Sequence, residues 1–169
     1  MLATLKIEGK EFPIEIMDPE LQKILIGKKT GYEREVGTPY YYVTNGGGVA
    51  KASDSGMEPD TFLYDTGNYY TSEELAKNVA RADKLMRQLK RFSVEHRNSP
   101  IDFTKGEPKY RITCNFSDVG YEFFYSFDTY TRVAGAVYFD TKEHAREAVN
   151  SFRDELLWYF TEYKDTAEI

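Results

Sequence analysis

Two segments separated by 69 to 70 residues carry the same texture: YYTSEEL at Tyr69 to Leu75 and YFDTKEHA at Tyr138 to Ala145. Each is an aromatic pair followed by a helix-start signal and a helical apolar stripe. In the first, Thr71-x-x-Glu74 reads as a capping box, and Leu75, Val79, Ala82, Met86 and Leu89 recur at spacings of four, three, four and three. In the second, Asp140-x-x-Glu143 is an acidic analogue of that box. Ala145, Val149, Phe152, Leu156 and Tyr159 repeat the same spacing. Tyr40 to Asn45 against Tyr110 to Asn115 fits the offset as well. A unit that recurs in this way constrains the fold to a small set of solutions, because each amphipathic helix must bury its stripe on a sheet. The expected class is α+β: an antiparallel sheet covered by two helices, built as a duplicated β-β-β-α unit over residues 38–98 and 109–164.

Within the first unit, Tyr40-Tyr41-Tyr42-Val43-Thr44 is a strong strand signal, Gly46-Gly47-Gly48 turns the chain, and Val49 to Ala52 returns. Residues Ser53 to Thr66 read as a loop whose acids, Asp54, Glu58, Asp60 and Asp65, are solvated, since their spacing matches no calcium loop. Asn98-Ser99-Pro100 stops the first helix. In the second unit, Tyr110 to Cys114 and Tyr121 to Phe127 read as strands around a turn at Ser117 to Gly120. Tyr121, Phe123, Tyr125 and Phe127 share one face, and Val133 to Phe139 is expected as a third strand.

Ahead of the repeats, residues 1–37 read as an appendage to the main domain at 38–169. Leu2 to Ile16 alternates around Gly9-Lys10 as a small hairpin. Asp18-Pro19-Glu20 starts a short helix over Leu21 to Ile26, and Gly27 to Thr38, polar and glycine-containing, is the candidate linker.

The 169 residues contain a single cysteine, Cys114, which excludes an intramolecular disulfide framework and points to a reducing compartment. No signal peptide or membrane-spanning run is visible, so the expected location is the cytoplasm. Gly27-Lys28-Lys29-Thr30 imitates the end of a phosphate-binding loop, but Gln22 stands where that motif requires glycine. The two histidines, His96 and His144, have no companion at metal-ligand spacing. Neither has sequence support as a base for Cys114. No catalytic residue, cofactor or metal is therefore expected.

Charge is more informative. From Lys77 to Arg97 seven basic residues face two acids, a net of +5 in a chain of net −6. On a helical projection Lys77, Arg81, Lys84 and Arg91 fall opposite the apolar stripe. With Arg87 they form a candidate binding ridge, the alternative being a merely solvated helix face. The 14 tyrosines suit half-buried strand positions or a contact surface. Tyr40, Tyr41, Tyr42, Tyr69 and Tyr70 are the candidate aromatic contacts.

KTGYEREVGTPYYYV, GNYYTSEELAKNVARADKLMRQLKRFSVEHRN and VYFDTKEHAREAV together resemble a family of small proteins encoded by phages and prophages of Gram-positive bacteria, over most of residues 28–150. The resemblance implies an accessory protein of a mobile element acting inside a bacterial host. Such proteins frequently inhibit host factors or defence systems, including CRISPR nucleases. It brings no catalytic residues with it. The expectation is a non-enzymatic protein that binds a host protein or protein–nucleic-acid complex, with a homodimer left open. The alternatives are direct nucleic-acid binding through the basic helix, and a small-molecule sponge or an unfamiliar enzyme.

Overall fold

The computed structural model describes residues 2–7, 10–15, 17 and 30–165. The short helix expected at Leu21 to Ile26 and the start of the candidate linker lie outside the described residues. The chain is α+β, with elements β1 Leu2–Ile7, β2 Lys10–Glu15, β3 Pro39–Val43, β4 Val49–Ser53, α1 Glu58–Asp65, α2 Glu73–His96, β5 Lys109–Ser117, β6 Gly120–Asp128, α3 Lys142–Ser151 and α4 Arg153–Thr161. The strands form three separate hairpins, β1–β2, β3–β4 and β5–β6, rather than one sheet. The first is the expected N-terminal hairpin, pairing Leu2 with Glu15 through Ile7 with Lys10. By internal contacts the chain divides into two units. One holds the chain up to Tyr42 together with Lys51–Leu75, and the other holds Val43–Ala50 and Ala76–Asp165.

The offset of 69 residues recurs in the hydrogen bonding. Tyr41 bridges Tyr70 antiparallel, and Tyr110 bridges Phe139 in the same way. Each bridge is closed by a reciprocal pair of backbone bonds, at 2.8 and 2.9 Å in the first and 2.8 and 2.7 Å in the second. The helix caps follow at the same offset. Ser72 Oγ accepts from Leu75 N at 3.3 Å before α2, and Thr141 Oγ1 accepts from His144 N at 3.1 Å before α3.

Both caps stand one residue after the positions expected from sequence. Thr71 donates its N–H to the Gly31 carbonyl, which ties it to the segment before β3 and not to the helix start. Asp140 instead accepts from Asn98 N at 2.7 Å and contacts His144 Nδ1 at 2.6 Å. The shift puts Leu75 and His144 at the third helical position, so neither glutamate occupies the reciprocal place of a capping box.

Three further expectations are corrected. Val133 to Phe139 is not a strand: only Phe139 bridges, and Gly135, at φ 79°, turns the chain before it. The Tyr138 hydroxyl accepts the Val133 N–H at 2.9 Å, a bond within the turn that replaces a ladder bond. The stretch at Ser53 to Thr66 is not all loop. Pro59 in the first turn and flanking acids Glu58 and Asp60 start α1, because proline costs nothing where the N–H has no helical partner. The second long helix is broken at Phe152 (φ −123°, ψ 26°) into α3 and α4. Its apolar period survives the break, with Ala145, Val149 and Leu156 still buried.

In the second unit, Leu85, Leu89, Phe139, Ala145, Ala148, Val149 and Leu156 form the core. One face of the β5–β6 hairpin packs on it through Tyr110, Ile112, Phe123 and Tyr125. Truncating a buried aromatic such as Phe139 to alanine costs about 3–5 kcal/mol. Of the predicted α2 stripe, Leu75, Ala82 and Leu89 are buried while Val79 and Met86 are half-buried.

Candidate functional site

The α2 sequence forms a helix because its apolar positions return every three or four residues and its interior lacks glycine and proline. Burying that stripe turns the basic residues outward. Lys77, Arg81, Lys84, Arg87 and Arg91 are all exposed, as is Lys90. The structure therefore brings the predicted ridge together along one element.

The residues on it are not equivalent. Arg81 Nε lies 2.8 Å from Glu155 Oε2, and its guanidinium sits 4.0 Å from the centre of the Trp158 ring. A cation held between a carboxylate and an indole is fixed by packing within the fold. Arg87 reaches Asp83 at 4.0 Å and Arg91 reaches Glu95 at 3.7 Å, both pairs well exposed. Exposed pairs one turn apart contribute only about 0.3–0.5 kcal/mol, so a partner can displace them cheaply. Lys84 and Lys90 have no ion pair among the described residues.

The aromatic candidates fare differently. Tyr40, Tyr69 and Tyr70 are buried, at 2%, 1% and 4% exposure, and are core residues unable to reach a partner; only Tyr41 and Tyr42 stay half-buried. The Tyr40 and Tyr69 rings stack with centroids 4.2 Å apart.

Beside them lies a polar network that sequence reasoning missed. Asp54 and Asp60, read as solvated loop acids, are buried. Arg34 clamps Asp54 through Nε at 2.7 Å and a second guanidinium nitrogen at 3.2 Å, and Gly56 N donates to the same carboxylate at 2.8 Å. Asp60 accepts from Ser55 Oγ at 2.6 Å, Ser55 N at 2.8 Å and the Tyr40 hydroxyl at 2.8 Å. Hydrogen bonds from Ser55 and then Tyr40 hold Asp60 down to a pKa of about 2. The Arg34 guanidinium holds Asp54 below its ordinary value, and burial together with Asp60 pushes the Tyr40 phenol up. Both carboxylates are satisfied, which marks the network as structural.

The remaining chemistry-bearing side chains sit apart from the ridge. Cys114 is half-buried on β5 opposite Phe123, and burial raises its thiol pKa, which keeps it protonated and a poor nucleophile. His96 stacks on Phe92 at 3.8 Å between ring centres. Among the described residues no group of three or more His, Cys, Asp or Glu side chains is placed to hold a metal ion. No helix among them is long and apolar enough to cross a membrane.

Open grooves flank α2 within the second unit. One, of about 490 Å³, is lined by Arg81, Lys84, Gln88 and Arg153 but also by Asp154 and Glu155, so its charge is mixed. Another, of about 250 Å³, is lined by Lys90, Arg97 and Arg132 with an apolar floor and no carboxylate. Neither Arg132 nor this groove is part of the sequence-derived ridge, because Arg132 comes from the segment after β6. No known protein family, curated protein or solved structure matches the chain.

Proposed function

We propose that the protein is a non-enzymatic phage or prophage accessory protein that binds an acidic surface of a host protein through the basic face of α2, and thereby inhibits or redirects that protein. The observation that carries this reading is the exposed cationic line of Lys77, Lys84, Arg87 and Arg91 along α2, in which Lys84 has no ion pair among the described residues. An excess of cations over the exposed acids Asp83 and Glu95 along a rigid helix, on an otherwise acidic chain, supplies both steering toward an acidic partner and repulsion from wrong ones. The sequence resemblance supplies the setting, a bacterial cytoplasm with a host factor or defence complex as target. The cations lie along a helix rather than converging in a cleft, which suits contact over a surface better than turnover of a small substrate.

A second reading, direct nucleic-acid binding, is favoured by the spacing of the same charges. Steps of seven, three and four residues place Lys77, Lys84, Arg87 and Arg91 roughly 5–10 Å apart along the helix axis, a spacing able to follow a phosphate backbone. The two readings separate on one experiment. The tagged chain is used to capture partners from nuclease-treated and untreated host lysate, with Lys84→Glu/Arg91→Glu alongside. Protein retention that survives nuclease and is lost in the variant supports the first reading. Retention that nuclease abolishes supports the second, and retention indifferent to the charge reversal contradicts both.

A further inference from the structure

The groove lined by Lys90, Arg97 and Arg132 gathers three cations from two segments of the chain and has no carboxylate among the described residues of its lining. Lys90 and Val94 lie on one flank of α2 with Arg97 just past its C-terminal end, and Arg132 faces them from the segment between β6 and α3. None of the three cations forms an ion pair among the described residues. The floor is apolar, formed in part by Val94, Ile101 and Phe103, and Val94 is 56% exposed.

The walls are fixed by buried contacts. Ser93 Oγ donates to the Tyr138 carbonyl, tying α2 to the segment that carries Arg132. Phe103 meets the Tyr138 ring edge-on at 4.9 Å. Lys109, only 3% exposed, donates Nζ to the carbonyls of Lys105 and Glu107 at 2.6 Å each, and so holds the loop that presents Phe103. A groove whose sides are locked in this way loses little freedom on binding.

We infer that this groove docks a short acidic segment of a protein partner, with carboxylates on Lys90, Arg97 and Arg132 and an apolar side chain on the floor. The cations favour anionic groups, and the apolar floor favours an apolar one beside them; a phosphate backbone would leave that floor uncovered. The volume of about 250 Å³ lies below the range of small-molecule pockets, about 300–1,000 Å³, and suits one or two side chains. The inference rests on the reading of α2 as a partner-binding face and names the chemistry of that partner.

The test is fluorescence anisotropy on the full chain with a labelled peptide of alternating Asp and Leu. The controls are a peptide of alternating Asp and Ser, one of alternating Lys and Leu, and an oligothymidine. The expected result is saturable binding of the Asp–Leu peptide, weaker by about tenfold for Asp–Ser and for the variant Arg97→Glu/Arg132→Glu. Arg146→Glu, an exposed cation of α3 outside both the groove and the crest of α2 that Lys84→Glu/Arg91→Glu changes, should alter it by less than about twofold. Val94→Ser, a milder change that keeps the charges, should weaken Asp–Leu and not Asp–Ser.

Equal binding of both acidic peptides, or tighter binding of the oligonucleotide, would overturn the inference. Sedimentation velocity run on the same samples adds one more contrary outcome. A dimer dissociated by Arg97→Glu/Arg132→Glu would mean that the groove takes a second copy, through the exposed Asp118-Val119 turn, instead of a partner. If the groove variant leaves peptide binding intact while the crest variant abolishes partner capture, the groove assignment fails and the function proposed above stands.

Discussion

Arg81 is held face-on to Trp158, 4.0 Å from the ring centre, while its Nε meets Glu155 at 2.8 Å. That pairing joins α2 to α4 inside the second unit and removes one cation from the ridge that sequence places on a single face. Arg81→Ala should therefore act on stability. A cation–π contact of about 0.5–2 kcal/mol plus a half-exposed ion pair of at most about 1 kcal/mol predicts a loss of about 1–2 kcal/mol. Urea denaturation monitored by Trp158 fluorescence reads it directly. An unchanged midpoint with lost partner binding would return Arg81 to the binding surface.

The two helix caps are equivalent by position and should be equivalent in energy. Ser72→Ala and Thr141→Ala each remove one side-chain bond to a helix N–H and should each cost about 1 kcal/mol. Thr71→Ala should cost much less. Thermal melts of the three variants decide it: a larger loss at Thr71 than at Ser72 would put the cap back where the sequence pattern first suggests it.

The buried carboxylates set the acid stability. Asp60 has its folded pKa lowered to about 2 from the ordinary 3.8. A depressed carboxylate contributes stability that is fully present above its unfolded pKa and is lost as pH falls through the folded one. Stability should therefore fall between about pH 4 and pH 2, and Asp54, lowered by Arg34, adds to the same slope. Asp60→Asn keeps an acceptor for Tyr40 and cannot titrate, so its stability should vary less with pH across that window. Chemical denaturation at several pH values checks this, and equal slopes for variant and wild type would contradict it.

Much of this architecture is legible in the sequence because it depends on short-range periodicity. The amphipathic α2, the three hairpins, and the repeat offset that reappears in Tyr41–Tyr70 and Tyr110–Phe139 all follow from local spacing. What escaped depends on distant partners. Asp54 and Asp60 look like any loop acids until Arg34, twenty positions before Asp54, and Tyr40, twenty before Asp60, close on them. The break at Phe152 leaves no sequence signal because the apolar period runs straight through it. The burial of Tyr40, Tyr69 and Tyr70 follows from the bridge and ring stack that the repeat builds, which composition alone does not reveal. On the candidate surface, the ridge was visible as charge spacing. The groove was not, since Arg132 joins it only through the fold.

The most direct test of the proposed function is capture of a host protein from nuclease-treated lysate by the wild-type chain and by Lys84→Glu/Arg91→Glu, with both shown folded by circular dichroism. The proposal predicts a defined protein retained in stoichiometric amount by the wild type, eluted by salt because the contact is ionic, and absent from the variant. Retention of the same protein by the charge-reversed chain, or elution unaffected by salt, would contradict it.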